Sequence, residues 1–469
     1  MPVTGDEAYF VDWGRHPDWG FYDHPPMVGW WLAAQLFIGD ALVWLRLSAI
    51  LQPALLAAAV AWMAPRLVPG LASERAWWAA LLVLLAPVNV WNVFVTTDTP
   101  LIYFSVLAAL AWLRATQDDH RGWYVAAGVM LAGAVLSKYF AALLGFAFLI
   151  HALVLRRKGV FGGLAIAYAC TLPALALMAW WNAGHCWVNV MFNFINRHEG
   201  AGLNATTLPL YLATLLYVVS PPALWLWWKS RGRDGLWLIA AVPFALFAVM
   251  ALAKTVGLHW LLGFVPLVLL WLALRLPQST LPKLGRFFVG FAALHVIAVA
   301  AVAALPLETW KKSHLYDGIV LTFDAAALVE RLRPFSDYAW GADGYSNAAT
   351  LSFHSPRRFM VFGEGGYHAR QDDFLTDWRE HDGRNILILT KRRTASANFL
   401  PYFHEVELKP IELRGVTFTA VLGRGFNYAA YRDDVLARVR NRYYALPAWL
   451  PQNGCTFCDR YFPDTPCTR

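Results

Sequence analysis

The sequence predicts a polytopic α-helical membrane protein of about ten spans, followed by a smaller α/β domain. Three observations carry this. The chain is 58% hydrophobic with a mean hydropathy of +0.43, too apolar for a soluble globule, and only 15% of it is charged. Long apolar runs fill the stretch from Ala41 to Leu305. The short connections between them alternate between basic and nearly free of Lys and Arg.

The runs are Ala41–Pro65, Ala76–Val95, Thr99–Ala115, Gly122–Leu136, Tyr139–Leu155, Gly159–Trp181, Thr207–Trp228, Gly235–Ala253, Leu258–Leu274 and Leu284–Leu305. Most approach the roughly 18–25 residues needed to cross a bilayer. Gly122–Leu136 is the shortest, and it is required to keep the charge alternation in phase. Met27–Ile38, after Pro25-Pro26, is too short to span and reads as a helix lying at the outer interface. The basic connections hold Arg66 with Arg75, Arg114 with Arg121, Arg156-Arg157-Lys158, Lys229 with Arg231 and Arg233, and Arg275 with Lys283 and Arg286. By the positive-inside rule these face the cytoplasm, so the intervening connections and the acidic segment Met1–Asp23 face outward.

After Leu305 the pattern changes. Met360–Phe362, Asn385–Thr390 and Val416–Leu422 read as strands. Asp324–Arg333 and Asp372–His381 read as helices, each with an Asp placed to cap its start. The organisation expected is an outer loop and interfacial helix over 1–40, a helical membrane domain over 41–305 and an outer α/β domain over 306–469.

The net charge of +8 arises from Lys and Arg in the cytoplasmic turns, where they orient helices and meet anionic lipid, so no nucleic-acid partner is expected. The 24 Trp suit a protein with many membrane–water boundaries. Met1–Asp6 has no signal-peptide pattern. Cys170 and Cys186 lie in or beside apolar runs and read as packing residues. Cys455, Cys458 and Cys467 cluster near the C-terminus, which predicts one disulfide with a thiol left over. A metal site there would lack a fourth ligand.

Nearly all residues able to do chemistry lie in the outer connections. Asp6-Glu7, followed by Tyr9, Phe10 and Trp13, is a carboxylate pair on a short loop near an apolar boundary. Such a pair suits a general base, a divalent-cation ligand or simply a solvated acidic tail. Asp98, in Thr96-Thr97-Asp98-Thr99-Pro100, fits a helix N-cap that also faces a shared cavity. Lys138 is a cation on the side that otherwise lacks them. It calls for an anionic partner such as a lipid phosphate, or snorkels to headgroups. The connection Trp181–Glu199 is rich in Trp, Asn and His, and Lys254 with His259-Trp260 repeats the theme at the next outer turn. With Arg46 and Arg197, these cations form a basic pocket opposite Asp6, Glu7 and Asp98.

Taken in order, these motifs resemble GT-C-type glycosyltransferases that use lipid-linked sugars. They are T-G-D-E-A-Y-F (Thr4–Phe10), Y-D-H-P-P-M-V-G-W (Tyr22–Trp30), T-T-D-T-P-L (Thr96–Leu101), L-S-K-Y (Leu136–Tyr139), W-N-x-x-H-x-W (Trp181–Trp187) and Lys254…His259-Trp260. The nearest branches are bacterial protein-O-mannosyltransferase-like proteins and lipid A aminoarabinose transferases.

The resemblance implies an inverting transferase in the bacterial inner membrane, with its site facing the periplasm. Its donor would be a polyprenyl-phosphate sugar and its acceptor a glycolipid such as lipid A, a glycan or a protein. Asp6 would be the principal catalytic carboxylate, with Glu7 beside it and Asp98 the second acid. Lys138, His24, Arg197, Lys254 and His259 would meet the donor phosphate, and Tyr9, Tyr22, Asp23, Tyr139 and Asn182 the substrates. His24 stands where aminoarabinose transferases tend to have Lys. The family also places a spanning helix before the acidic pair; without one, the loop would be tethered at one end. Two other readings remain at this point, a transporter or flippase of a lipid-linked anion and a non-catalytic envelope protein. A transporter is disfavoured by the absence of charge at mid-membrane depth and of an internal repeat.

Overall fold

The computed structural model describes residues 1–196, 202–230, 232, 234–366, 370–391, 393–451, 454–465 and 467. The chain opens with helix α1 (Gly5–Arg15) and the interfacial α2 (Met27–Leu36). The first membrane helices are α3 (Leu42–Leu67), α4 (Ser73–Leu84), α5 (Asp98–Asp118), α6 (Arg121–Ser137), α7 (Ala141–Leu155) and α8 (Lys158–Gly184).

Each expected run corresponds to helix, but several are broken where proline removes a donor and disfavours helix in the residue before it. The second run stops at Leu84, and a 3-10 turn starts at Pro87. The seventh is two helices, Thr207–Val219 and Pro221–Lys229, bent by 97° at Ser220, ahead of Pro221-Pro222. The ninth begins as a 3-10 segment, Leu258–Phe264, and turns α-helical at Val265-Pro266. Among the described residues five helices are long and apolar enough to cross a membrane, or six with the bent pair. Helices α6, α7 and Gly235–Met250 are apolar but shorter.

Helix α5 lies at the centre of the bundle, its apolar positions buried almost throughout. Helices α6 and α8 approach closely at Gly128, where a Cβ would run into the Ala167 carbonyl and the Cys170 side chain. The basic connections converge at one end. Arg75 Nη1 donates to the carbonyls of Ala273 and Leu276 at 2.9 Å, and Gln117 Nε2 donates to Leu67 O at 2.6 Å. Arg157 pairs with Asp119 at 3.6 Å and Arg275 with Asp234 at 3.1 Å. The C-terminal domain and the N-terminal helix occupy the other end.

That domain holds five strands, β1 (Ala339–Ala342), β2 (Met360–Val361), β3 (Ile386–Thr390), β4 (Phe403–Leu413) and β5 (Val416–Phe426), in the order β2-β1-β3-β5-β4. Strand β1 pairs in parallel with β2 and β3, while β5 is antiparallel to both β3 and β4. Every residue of β3 is buried, which explains its unbroken apolar run. A two-residue turn, Arg414-Gly415, joins β4 to β5 with both φ positive (49° and 75°), as tight hairpins require.

The expected helix over Asp324–Arg333 is found at Ala325–Leu332, but the Asp324 carboxylate binds Arg414 instead of capping. The segment Asp372–His381 divides into Asp372–Leu375 and a 3-10 turn, Trp378–His381. Asp372 there bonds to Arg358 and to the Val361 amide at 3.0 Å.

Two disulfides, Cys186–Cys455 and Cys458–Cys467, leave Cys170 as the free thiol. This corrects two expectations. Cys186 is no packing residue, and the C-terminal cluster has no thiol left over, because its first cysteine, Cys455, pairs across 269 residues of chain. The bond ties the turn after α8 to the C-terminal segment, reinforced by a backbone bridge between His185 and Cys455.

Candidate active site

The Asp6-Glu7 pair lies on the first turn of α1 and not on a loop. Thr4 caps the helix: Glu7 N donates to Thr4 Oγ1 at 3.3 Å, and Thr4 N donates to Glu7 Oε2 at 3.0 Å. Consecutive helical residues point about 100° apart, so the two carboxylates face different surroundings. Glu7 is 2% exposed and receives Arg46 Nε at 2.8 Å, Arg46 Nη2 at 2.7 Å and the Val95 amide at 3.2 Å. Arg46 also donates to the carbonyls of Met1 (3.0 Å) and Pro2 (2.8 Å). Arg46 and Glu7 therefore form a buried clamp that anchors the start of the chain, which is held on both sides of the acidic pair. Asp6 faces outward and accepts from the Tyr345 hydroxyl at 3.1 Å.

Asp98 is the first residue of α5, at the positive end of the helix dipole, with Thr97 in the N-cap position. Lys138 ends α6, and its Nζ donates to both Asp98 oxygens at 3.0 and 2.9 Å. Both residues are buried, and His259 Nε2 stands 3.7 Å from Asp98 Oδ2. Lys138 thus has an anionic partner in the protein. An ammonium carries three donors, so one remains beyond the two that reach Asp98.

Asp23 and His24 sit on the loop after α1. Asp23 Oδ1 accepts from Tyr9 OH at 3.4 Å, and Asp23 Oδ2 lies 3.3 Å from His24 Nδ1. The loop backbone is held from two sides. Asn189 Nδ2 donates to Phe21 O at 2.7 Å and Asn193 Nδ2 to Asp23 O at 2.9 Å. From the C-terminal domain, Gln371 Oε1 accepts the Tyr22 amide at 2.9 Å. Burial and the Asp23 charge push the Tyr9 phenol well above its ordinary pKa, so it stays a donor.

These groups share one cavity of about 460 Å³. Asp6, Tyr9, Asp23 and His24 line its outer side, and Asp98, Lys138 and His259 its bundle side. Thr96 and Thr97, with Phe10, Phe192, Trp260 and Tyr345, complete the wall.

The other expected site residues lie elsewhere. Glu7 is committed to the clamp, which also removes Arg46 from the basic pocket. Tyr22 is fully buried with its ring against Phe192 and Tyr444. Tyr139 packs on Phe194 at 5.7 Å. Asn182 is buried and structural, its Oδ1 accepting from the Asn189 amide at 3.2 Å and thereby holding the segment that supports Asp23. Lys254 is half-buried and is not among the residues lining the cavity, while Arg197 lies outside the described residues. Two contributors went unforeseen, Phe192 and Tyr345. Nothing local in the sequence marks either, because both reach the cavity from distant parts of the chain. Among the described residues the only trio close enough to share a metal ion is Cys455, Cys458 and Cys467, all in disulfides.

A family profile for dolichyl-phosphate-mannose-protein mannosyltransferases matches residues 23–181. The lipid A galacturonosyltransferase RgtD of Rhizobium johnstonii (strain DSM 114642 / LMG 32736 / 3841) is 32% identical over 191 residues, 38% of this chain; the matched region spans 38% of that relative's length. The crystal structure of ArnT from Cupriavidus metallidurans bound to undecaprenyl phosphate superposes with a TM-score of 0.63 at 16% identity, covering 90% of this chain and 94% of that one. The chain thus has the polytopic GT-C-type membrane fold. Its likeness to ArnT runs through nearly all of both chains, the C-terminal domain included.

Proposed function

We propose that this protein is an inverting glycosyltransferase that moves a sugar from a polyprenyl-phosphate donor to an acceptor at the periplasmic face of the bacterial inner membrane. The acceptor class is a glycolipid such as lipid A, a glycan or a protein. The observation that carries the reading is the cavity itself, where Asp6, Asp23 and His24 on the outer side face Asp98, Lys138 and His259 on the bundle side. It opens at the end of the bundle opposite the basic connections. The family profile and the names of RgtD and ArnT support the same chemistry.

In this reading Asp6 accepts the proton of an acceptor hydroxyl or amine as its oxygen or nitrogen attacks the anomeric carbon. The bond from that carbon to the phosphate oxygen breaks with inversion, and the lipid phosphate leaves with the electron pair. Lys138, held by Asp98, and His259 face the charge that develops on the phosphate. Arg197 and Lys254 are further candidates for that role. The apolar wall of Phe10, Phe192 and Trp260 excludes water that would otherwise compete as acceptor.

The test is sugar transfer by the full chain in proteoliposomes, using a panel of undecaprenyl-phosphate sugars with lipid A as acceptor. Transfer that disappears in Asp6→Asn, with the melting temperature unchanged, supports the assignment. Full transfer by folded Asp6→Asn removes Asp6 as the base.

A further inference from the structure

Among the described lining residues, Tyr345 is the one that the C-terminal domain sends into the cavity. It opens the helix Tyr345–Phe353, which follows β1 and packs along α1. The start of that helix is fixed by Asn347 Nδ2 donating to Asp343 Oδ1 at 2.7 Å. Its approach to α1 is close enough that any side chain at Gly5 would overlap the Ser346 hydroxyl. The Tyr345 ring meets Tyr9 edge-on, with centroids 5.4 Å apart and planes at 66°. Two rigid helices and a ring contact therefore set where the Tyr345 hydroxyl lies.

We propose that Tyr345 is a positioning residue for the base: its hydrogen bond to Asp6 Oδ1 fixes the carboxylate so that the other oxygen is presented to the acceptor. The inference rests on the assignment of Asp6 as that base. Burial, and then the Asp6 charge, raise the Tyr345 pKa, so the phenol keeps its proton and donates throughout the working range.

The experiment compares Tyr345→Phe, Tyr345→Leu and Asp6→Asn in the full chain, in proteoliposomes with the undecaprenyl-phosphate sugar that supports wild-type transfer. The Phe variant keeps the ring on Tyr9 and loses only the hydroxyl. We expect kcat to fall about tenfold while donor KM stays within about twofold, because the misplaced carboxylate slows proton acceptance without weakening donor binding.

If the Phe variant matches wild type in kcat while the Leu variant fails, the ring alone matters and the inference is overturned. A loss in Tyr345→Phe that appears in donor KM with kcat unchanged overturns it as well. Inactive Asp6→Asn alongside unimpaired Tyr345→Phe sinks this inference while leaving the proposed function standing. Fully active Asp6→Asn removes Asp6 as the base, and this inference with it, while the transfer reaction itself stands.

Discussion

Arg46 grips Glu7 through two charge-assisted hydrogen bonds at 2.8 and 2.7 Å, and so separates the duties of two acids that are adjacent in sequence. Glu7 is held inside, where an unpaired charge is costly, whereas Asp6 is left to the cavity. Glu7→Gln or Arg46→Ala should therefore destabilise the protein by about 3–5 kcal/mol, the usual consequence of stripping one partner from a buried pair. Asp6→Asn should leave the melting temperature in detergent unchanged. Equal melting temperatures for Glu7→Gln and wild type would show that the clamp contributes nothing to the fold.

Lys138 should govern donor use, and because it partners the buried Asp98 its loss should also destabilise the protein. Losing a hydrogen bond to a charged group costs about 1.5–3 kcal/mol, so donor KM in Lys138→Ala should rise roughly 10- to 100-fold. Asp98→Asn should raise it too, because the lysine then loses the carboxylate that orients it. Steady-state transfer at limiting donor measures both. An unchanged KM in Lys138→Ala would leave the lysine as a structural counter-ion of Asp98.

Thiol counting tests the disulfide pattern. The denatured, unreduced chain should take up a single alkyl group, at Cys170, and the reduced chain five. Replacing Cys186 and Cys455 together by Ala should cost about 2–4 kcal/mol. It should also loosen the segment carrying Asn189 and Asn193, and with it the Asp23 loop. Mass spectrometry after alkylation reads the first outcome and thermal unfolding the second.

A pH dependence is expected at the end of α1, where His16 Nδ1 lies 3.3 Å from Asp12. Burial works against the Asp12 charge, but the hydrogen bond to His16 and the Arg358 charge outweigh it and lower its pKa from 3.8. The same bond raises His16 from 6.5. The depressed Asp12 contributes stability above its unfolded value, lost as pH falls through the folded one. The raised His16 contributes stability below 6.5 that is lost as pH rises through its folded value. The pair should therefore support α1 most between about pH 4 and 6.5. His16 is partly exposed, so the effect is modest. Asp12→Asn should flatten this part of the stability–pH curve, read by thermal unfolding across that range.

Much of this architecture is visible in the sequence because it follows from local composition. Apolar runs and alternating charge give the bundle and its two ends. Asp98, Lys138 and His259 stand out as polar groups at the edges of apolar segments, and they do converge. The failures share one cause, long-range pairing. Glu7 looks like the equal of Asp6 until Arg46, 39 residues later, claims it. Cys186 looks like core packing until Cys455 is placed beside it. Tyr345, in an ordinary helix start, has no meaning until α1 lies against that helix. Where proline breaks a run, as before Pro87 and Pro221, the signal was present but does not say how far the chain will bend.

The link between Cys186 and Cys455 also has a temporal side. A ribosome making this chain inserts the membrane helices that follow α2 long before Cys455 exists, so the membrane half of the cavity is delivered first and stands unfinished. Tyr345 arrives later, and the covalent closure later still, once an oxidant has acted on cysteines separated by 269 residues. Newly inserted copies would therefore lack a complete cavity until the C-terminal domain docks, and the covalent link would close last. A pulse-labelled cell could follow that step as a mobility shift under non-reducing conditions.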